Sequence, residues 1–183
     1  MANQLAVRKL PLEGAMLISP FFAEDERGSF YKLFTKEALS QAGAKSDFSE
    51  EFVSVSHKGV IRGFHYQKSA HCQSRLIWVP QGEVFDVIVD LRQNSKTFSK
   101  WTSVRLSGKE KTMLYVPVGF AHAFQSLEDN TQMVYKADRP YSPENERGII
   151  YSDLLLSIPW PIAKPIVSKK DLAWPTFEEC EKF

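Results

Sequence analysis

Apolar and polar residues alternate with period two along much of the chain, the pattern of half-buried β-strands. In "VFDVIVDL", Phe85, Val87, Val89 and Leu91 share one face, while Asp86 and Asp90 share the other with Val84 and Ile88. A strand with acids on one face is expected to line a wet cavity. In "FAHAFQ", Phe120, His122 and Phe124 point one way, and in "QMVYK" Met133 and Tyr135 do. Runs rich in β-branched and aromatic residues, punctuated by Gly, Pro, Asn and Ser, predict strands in "AMLISPFF", "SFYKLF", "EFVSVS", "GVIRGFHYQ", "RLIWVPQG", "EVFDVIVDL", "KWTSVRLS", "KTMLYVP", "HAFQSL" and "TQMVYKA". Helix signals are few. "TKEALSQAGA" predicts a short helix ending near Gly43, and "PTFEECEKF" another, with Thr176 and Glu179 in capping-box spacing. From Tyr141 onward the text is proline-rich ("RPYSPENERG", "IPWPIAKPIVSKKD"), which predicts an extended tail wrapping a barrel. The whole of residues 1–183 therefore reads as one all-β sandwich or barrel domain with a wrapping tail from about 141.

Composition narrows the function classes. With 43% hydrophobic residues the chain has enough material for a core. Lysine plus arginine (23) nearly balances aspartate plus glutamate (22), so no net field argues for nucleic acid or an anionic membrane as partner. Cys72 and Cys180 lie far apart, which supports neither a disulfide framework nor a zinc site and suits a reducing, cytoplasmic setting. No run approaches the ~18 apolar residues of a membrane span, and the protein is expected to be soluble and unprocessed.

The chemistry concentrates in a few strands. In "GVIRGFHYQ", strict alternation puts Ile61, Gly63, His65 and Gln67 on one face and Arg62, Phe64 and Tyr66 on the other. A bulge at Gly63 would re-aim Arg62; without one, Arg62 and His65 cannot meet a common ligand. His57 and His71, in the polar stretches "SHKG" and "SAHCQS", read as surface residues, whereas His65 and His122 lie in apolar strands and point to a site. "PVGFAH" fits the Pro-x-Gly-x-x-His pattern that many small barrels use near a metal, but "FHYQK" supplies one histidine only, so no metal is expected. Nucleophile elbows, phosphate loops and dinucleotide fingerprints are missing from the sequence. The remaining set of His65, His122, Tyr135, Tyr141, Arg62, Arg75 and Lys136 suits proton transfer and recognition of an anionic ligand.

Taken together, "DERGSF", "GVIRGFHYQ", "GEVFDVIVDLR", "TFSKW", "VPVGFAHAF", "VYK", "YSPENERGI" and "SKKD" occur in the order and spacing of one family. Over nearly its whole length the chain resembles the dTDP-4-dehydrorhamnose 3,5-epimerases. The resemblance implies a cupin-type jelly roll, usually a strand-exchanged homodimer, that uses no cofactor and no metal. It also implies a nucleotide-diphosphate 4-keto-6-deoxyhexose as substrate, epimerised at C3, C5 or both, in the making of deoxysugars for surface polysaccharides. By the same resemblance His65 is the general base, paired with Asp171, and Tyr135 is the acid that reprotonates from the other face. Arg62 faces the diphosphate and Arg27 helps bind the nucleotide, commonly across the dimer interface. Phe30, in the same "DERGSF" motif, His122, Lys136 and Tyr141 complete the substrate-binding set.

Departures from the family pattern leave the nucleotide open. Arg75 stands where many members have lysine; arginine keeps the charge but does not donate a proton at neutral pH, so its expected role is electrostatic. Lys32 replaces a frequent glutamate, and Glu50 and Phe52 replace a frequent Gln-x-Asn pair that helps recognise the nucleotide. Losing such partners leaves thymine groups unpaired, at roughly 1–3 kcal/mol per buried group. A sugar-nucleotide 3,4-ketoisomerase on a similar barrel, or a non-catalytic sugar-nucleotide-binding barrel, are the alternative readings.

Overall fold

The computed structural model describes residues 5–183. Fourteen strands carry the fold: β1 (Ala6–Lys9), β2 (Met16–Ser19), β3 (Phe21–Asp25), β4 (Gly28–Lys32), β5 (Glu50–Ser56), β6 (Val60–Gln67), β7 (Arg75–Gln81), β8 (Glu83–Asp90), β9 (Trp101–Ser107), β10 (Met113–Val116), β11 (Phe120–Ser126), β12 (Thr131–Ala137), β13 (Glu146–Gly148) and β14 (Ile166–Val167). Among the described residues, helices are limited to α1 (Lys36–Gln41), α2 (Lys169–Leu172) and two single 3-10 turns. One sheet has the order β1-β2-β10-β7-β12-β5, and the sheet facing it has the order β13-β6-β11-β8-β9. The two sheets form the jelly roll expected from the resemblance; β3 and β4 pair only with each other as a hairpin.

Alternation assigns each sheet an inner and an outer face. Inward residues from both sheets, among them Ile77, Val84, Ile88, Leu114, Phe124 and Met133, fill one half of the interior. The outer face of the β6/β8/β11 sheet (Phe64, Val87, Val89, Ala121) is covered by the tail through Ile149, Leu156, Trp160 and Phe177. The outer face of the other sheet (Met16, Ile18, Leu76, Met113) is covered by Leu39 and the segment after α1. Helix α1 starts where Thr35 Oγ1 accepts from the Ala38 N–H, and Gly43, at φ +82°, ends the turn beyond it.

Differences from the sequence reading have local causes. Proline 20, lacking an N–H, splits "AMLISPFF" into β2 and β3. "PTFEECEKF" forms one turn and no helix: the Thr176 N–H and hydroxyl both donate to Glu179, and Cys180 N–H reaches Thr176 O at 3.0 Å. The chain is then pulled into extended contact, with Phe183 N–H on Leu91 O. The acids of β8 do not line a wet cavity. Asp90 is fully buried and accepts from Arg92, Ser95 and Thr97, tying down the turn after β8, and Asp86 is equally buried against His122.

Candidate active site

The unfilled half of the interior opens to solvent as a cavity of about 760 Å³ between β5, β7 and β12 on one side and β6, β11 and the tail on the other. The tail is brought there by β14, which runs parallel to β6 with Ile166 opposite Val60. At its end Ser168 caps α2 by accepting from the Asp171 N–H at 3.0 Å, and the cap turns the Asp171 side chain towards β6. There Asp171 Oδ1 lies 2.7 Å from His65 Nε2, with the carboxylate 5% exposed and the imidazole 26%. Trp174 Nε1–H donates to the same oxygen at 3.3 Å, and the Gly63 N–H reaches Oδ2 at 3.5 Å. Burial pushes the Asp171 carboxyl up, but the hydrogen bond and charge of His65, with the Gly63 and Trp174 donors, hold it below its ordinary value. Trp174 has room because residue 148 is glycine: a Cβ there would come within 2.5 Å of the indole.

The bulge in β6 is present. Opposite β11, His65 pairs with His122 and Arg62 with Phe124, so three steps along β6 match two along β11. Gly63 sits at the irregularity with φ +120°, and a Cβ there would stand 2.5 Å from His122 O and 2.6 Å from Ala123. The extra residue puts Arg62 and His65 on the same wall of the cavity. Arg62 Nε donates to Ser56 Oγ at 3.2 Å, and Arg75, on the opposing sheet, to Gln73 Oε1 at 3.1 Å. Neither guanidinium has a carboxylate within ion-pair distance among the described residues, so both are available to an anionic ligand. Burial lowers the Arg75 value from its ordinary range while Tyr135, Glu146 and Glu50 act against it.

Across the cavity from His65, Tyr135 of β12 is 5% exposed. Burial is the main cause that pushes its phenol well above the ordinary tyrosine value, so it remains a proton donor at any physiological pH. Its hydroxyl has one long contact, 3.4 Å to Ser54 Oγ. His122 meets the ring edge-on at 6.2 Å and is itself held by Asp86 Oδ2 at 2.8 Å, a second, deeper histidine–carboxylate pair. Both inward histidines thus spend Nε2 on an aspartate. No group of three metal-ligating side chains occurs among the described residues.

Of the residues singled out from sequence, His65, Asp171, Tyr135, Arg62, Arg75, His122 and Tyr141 line this one cavity. Lys136 does not: alternation turns it to the other face of β12, where it pairs with Glu51. Arg27 and Phe30 are exposed on the β3–β4 hairpin, where Arg27 pairs with Asp25, and neither lines the cavity. Two further groups went unnoticed in the sequence, Glu146 and Lys170, while Asp86, expected there to face a wet cavity, is instead the buried partner of His122. Glu146 accepts from both Tyr141 Oη and Lys170 Nζ at the cavity wall. Burial raises its carboxyl, but Lys170, Tyr141 and the nearby His65 outweigh that and lower it. A glutamate and a lysine inside otherwise proline-rich text were the available signal. Glu50 is occupied as well, accepting from the Tyr141 N–H at 2.9 Å.

Comparison with known proteins agrees with this fold. Residues 9–179 match the family model described as dTDP-4-dehydrorhamnose 3,5-epimerase. The Shigella flexneri dTDP-4-dehydrorhamnose 3,5-epimerase is 40% identical over 178 residues, covering 97% of this chain and 98% of that protein. The crystal structure of the Elizabethkingia anophelis dTDP-4-dehydrorhamnose 3,5-epimerase superposes with a TM-score of 0.92 at 39% identity, covering 96% of this chain and 97% of the other. A Legionella pneumophila dTDP-6-deoxy-D-glucose-3,5-epimerase, in complex with dTDP-4-keto-L-rhamnose, gives 0.91 at 38% identity, covering 96% and 94%. With sequence, fold and cavity in agreement, the chain belongs to the dTDP-4-dehydrorhamnose 3,5-epimerase family.

Proposed function

We propose that this protein epimerises a nucleotide-diphosphate 4-keto-6-deoxyhexose at C3, C5 or both, using its own side chains and no metal. The observation that carries the reading is the disposition of His65–Asp171 on one sheet and the protonated Tyr135 on the other, with the cavity between them. A C–H beside a ketone is a weak acid, so its removal needs a placed base and a charge for the enolate that forms. His65 takes the proton through the ring nitrogen that Asp171 leaves free, and Asp171 compensates the resulting imidazolium. Arg75 stabilises the enolate oxygen and Arg62 grips the diphosphate. Tyr135 then gives its proton to the opposite face of the carbon, inverting it, and is reprotonated from solvent, while the His65 imidazolium releases the abstracted proton to solvent.

The working unit in this proposal is a homodimer, in which the β3–β4 hairpin carries Arg27 and Phe30 to the partner's nucleotide site. Phe22, Phe30 and Tyr31 of that hairpin are all exposed, more aromatic surface than an isolated hairpin retains without a partner. Two free cysteines fit a cytoplasmic setting, and no helix among the described residues is long and apolar enough to cross a membrane. The product serves deoxysugar biosynthesis for surface polysaccharides.

The deciding experiment follows deuterium uptake from D2O into 4-keto-6-deoxyhexoses linked to dTDP, CDP, GDP and UDP, with NMR to locate each deuteron. Uptake at C3, C5 or both is expected, and the preferred nucleotide will show what Lys32 and Glu50 select. Folded protein that exchanges no proton on any of these sugars refutes the proposal.

A further inference from the structure

Phe52 of β5 lines the cavity, and the structure shows what its ring does there. Phe52 and Tyr135 are direct partners in the β5–β12 register. Their rings stack with centroids 4.6 Å apart and planes 13° apart. Phe52 is 39% exposed and Tyr135 5%, so Phe52 is the cover between the phenol and solvent. Elsewhere Tyr135 meets the edge of His122 and belongs to the buried core with Ile77 and Met133. The phenol hydroxyl is not fixed by hydrogen bonding, because its 3.4 Å contact to Ser54 lies beyond the usual O–H···O range of about 2.5–3.0 Å. The stacked Phe52 ring, lying nearly parallel to the phenol, adds to that core packing a flat restraint on the plane of the donor.

We propose that Phe52 is a positioning residue for the acid: its stacked ring fixes the Tyr135 phenol against the inverting face of the enolate and so sets the fraction of deprotonations that end in inversion. The inference rests on the epimerase reading given above. Once His65 has removed the proton, the enolate has two fates. Tyr135 protonates it from the far side and the centre inverts, or the His65 imidazolium returns a proton to the face it came from and the substrate is regenerated. Because His65 is 26% exposed, its proton exchanges with solvent, and the second fate leaves a deuteron without inversion. A phenol free to tilt reaches the carbon less often, which favours return, since misplacement by about 1 Å costs up to 100-fold in a positioned reaction.

The test measures, in D2O and on the sugar nucleotide the wild type accepts best, the ratio of deuterium in recovered substrate to inverted product. In Phe52→Ala the ratio is expected to rise about three- to tenfold, the equivalent of one aromatic stacking contact, with KM little changed. Phe52→Leu, which keeps apolar cover without a flat face, should behave like the alanine variant, and Phe52→Tyr should restore the wild-type ratio. Should Phe52→Ala not fold, as judged by its thermal melt, the leucine variant gives the same readout. An unchanged ratio with a raised KM overturns the inference and makes Phe52 a nucleotide contact. A parallel fall in return and inversion also overturns it, since the ring would then only stabilise the barrel. A wild type that takes up no deuterium at all is a different result and refutes the epimerase reading itself.

Discussion

Replacing Asp171 with asparagine probes the histidine–carboxylate pair with the least change of shape. The carboxylate serves His65 Nε2 at 2.7 Å and Trp174 Nε1 at 3.3 Å through Oδ1, and Gly63 N at 3.5 Å through Oδ2. An asparagine carbonyl in the Oδ1 position keeps the first two contacts, and its amide group faces only the long third one. What disappears is the negative charge beside the imidazolium that forms in the reaction. A charge-assisted hydrogen bond is worth about 1.5–3 kcal/mol, which corresponds to a loss of about 10- to 150-fold in kcat for proton exchange. Asp171→Ala should do worse, because the Trp174 and Gly63 donors are then orphaned, at about 1–3 kcal/mol of stability. The native carboxyl lies below its ordinary value of 3.8, so the ionised form stabilises the fold above that pH and the contribution is lost as pH falls through the lower native value. The melting-temperature difference between wild type and Asp171→Asn should therefore be full at neutral pH and shrink in acid below 3.8. Deuterium exchange measured by mass spectrometry gives the rate, and calorimetry at several pH values gives the stability. An asparagine variant that exchanges at the wild-type rate would refute the idea that the carboxylate compensates the base.

Other perturbations separate binding from chemistry and from folding. Arg62→Ala removes an uncompensated guanidinium from the cavity wall and should weaken nucleotide-diphosphate binding by about 10- to 100-fold with a smaller effect on kcat, read by calorimetric titration. Burial raises the phenols of Tyr66 and Tyr135 above the ordinary value of 10.0, so stability is full below that pH and is lost as pH rises past it; ultraviolet titration should show both ionising later than the exposed tyrosines. Asp90→Asn leaves the Arg92 guanidinium with a neutral partner and should cost about 3–5 kcal/mol in urea unfolding, while activity per folded molecule stays near wild type, because this turn lies outside the cavity.

The fold was largely legible because period-two alternation is a local signal. Every run predicted as a strand contains one, and the shared faces assigned to Phe120, His122 and Phe124 and to Met133 and Tyr135 agree with the packing, which turns both inward. Strands β1, β13 and β14, of two to four residues, are too short to carry a period. The acids of β8 misled because alternation fixes the face but not what waits there: inside the barrel Asp86 met a histidine and Asp90 an arginine. The pairing of His65 with Asp171 spans 106 residues, and no local pattern encodes it; only the resemblance brought the two together. Glu146 and Lys170 were hidden for the same reason, since an ion pair between distant tail segments leaves no periodic trace. Lys136 shows the reverse limit. It stands next to Tyr135 in sequence, and adjacency in a strand means opposite faces.

The kink in β6 also acts as a gauge. It sets the gap between Arg62 and His65 through the backbone alone, and Gly63 leaves no room for even a methyl group with which to adjust it. In the proposed reaction, a ligand gripped at its phosphates by Arg62 would present one particular stretch of sugar to His65. Sugar monophosphates, or sugars joined through a longer bridge, would place a different carbon before the base. On that proposal, selection for linkage length would lie in the chain path itself, where Gly63 leaves no room for a side chain to tune it.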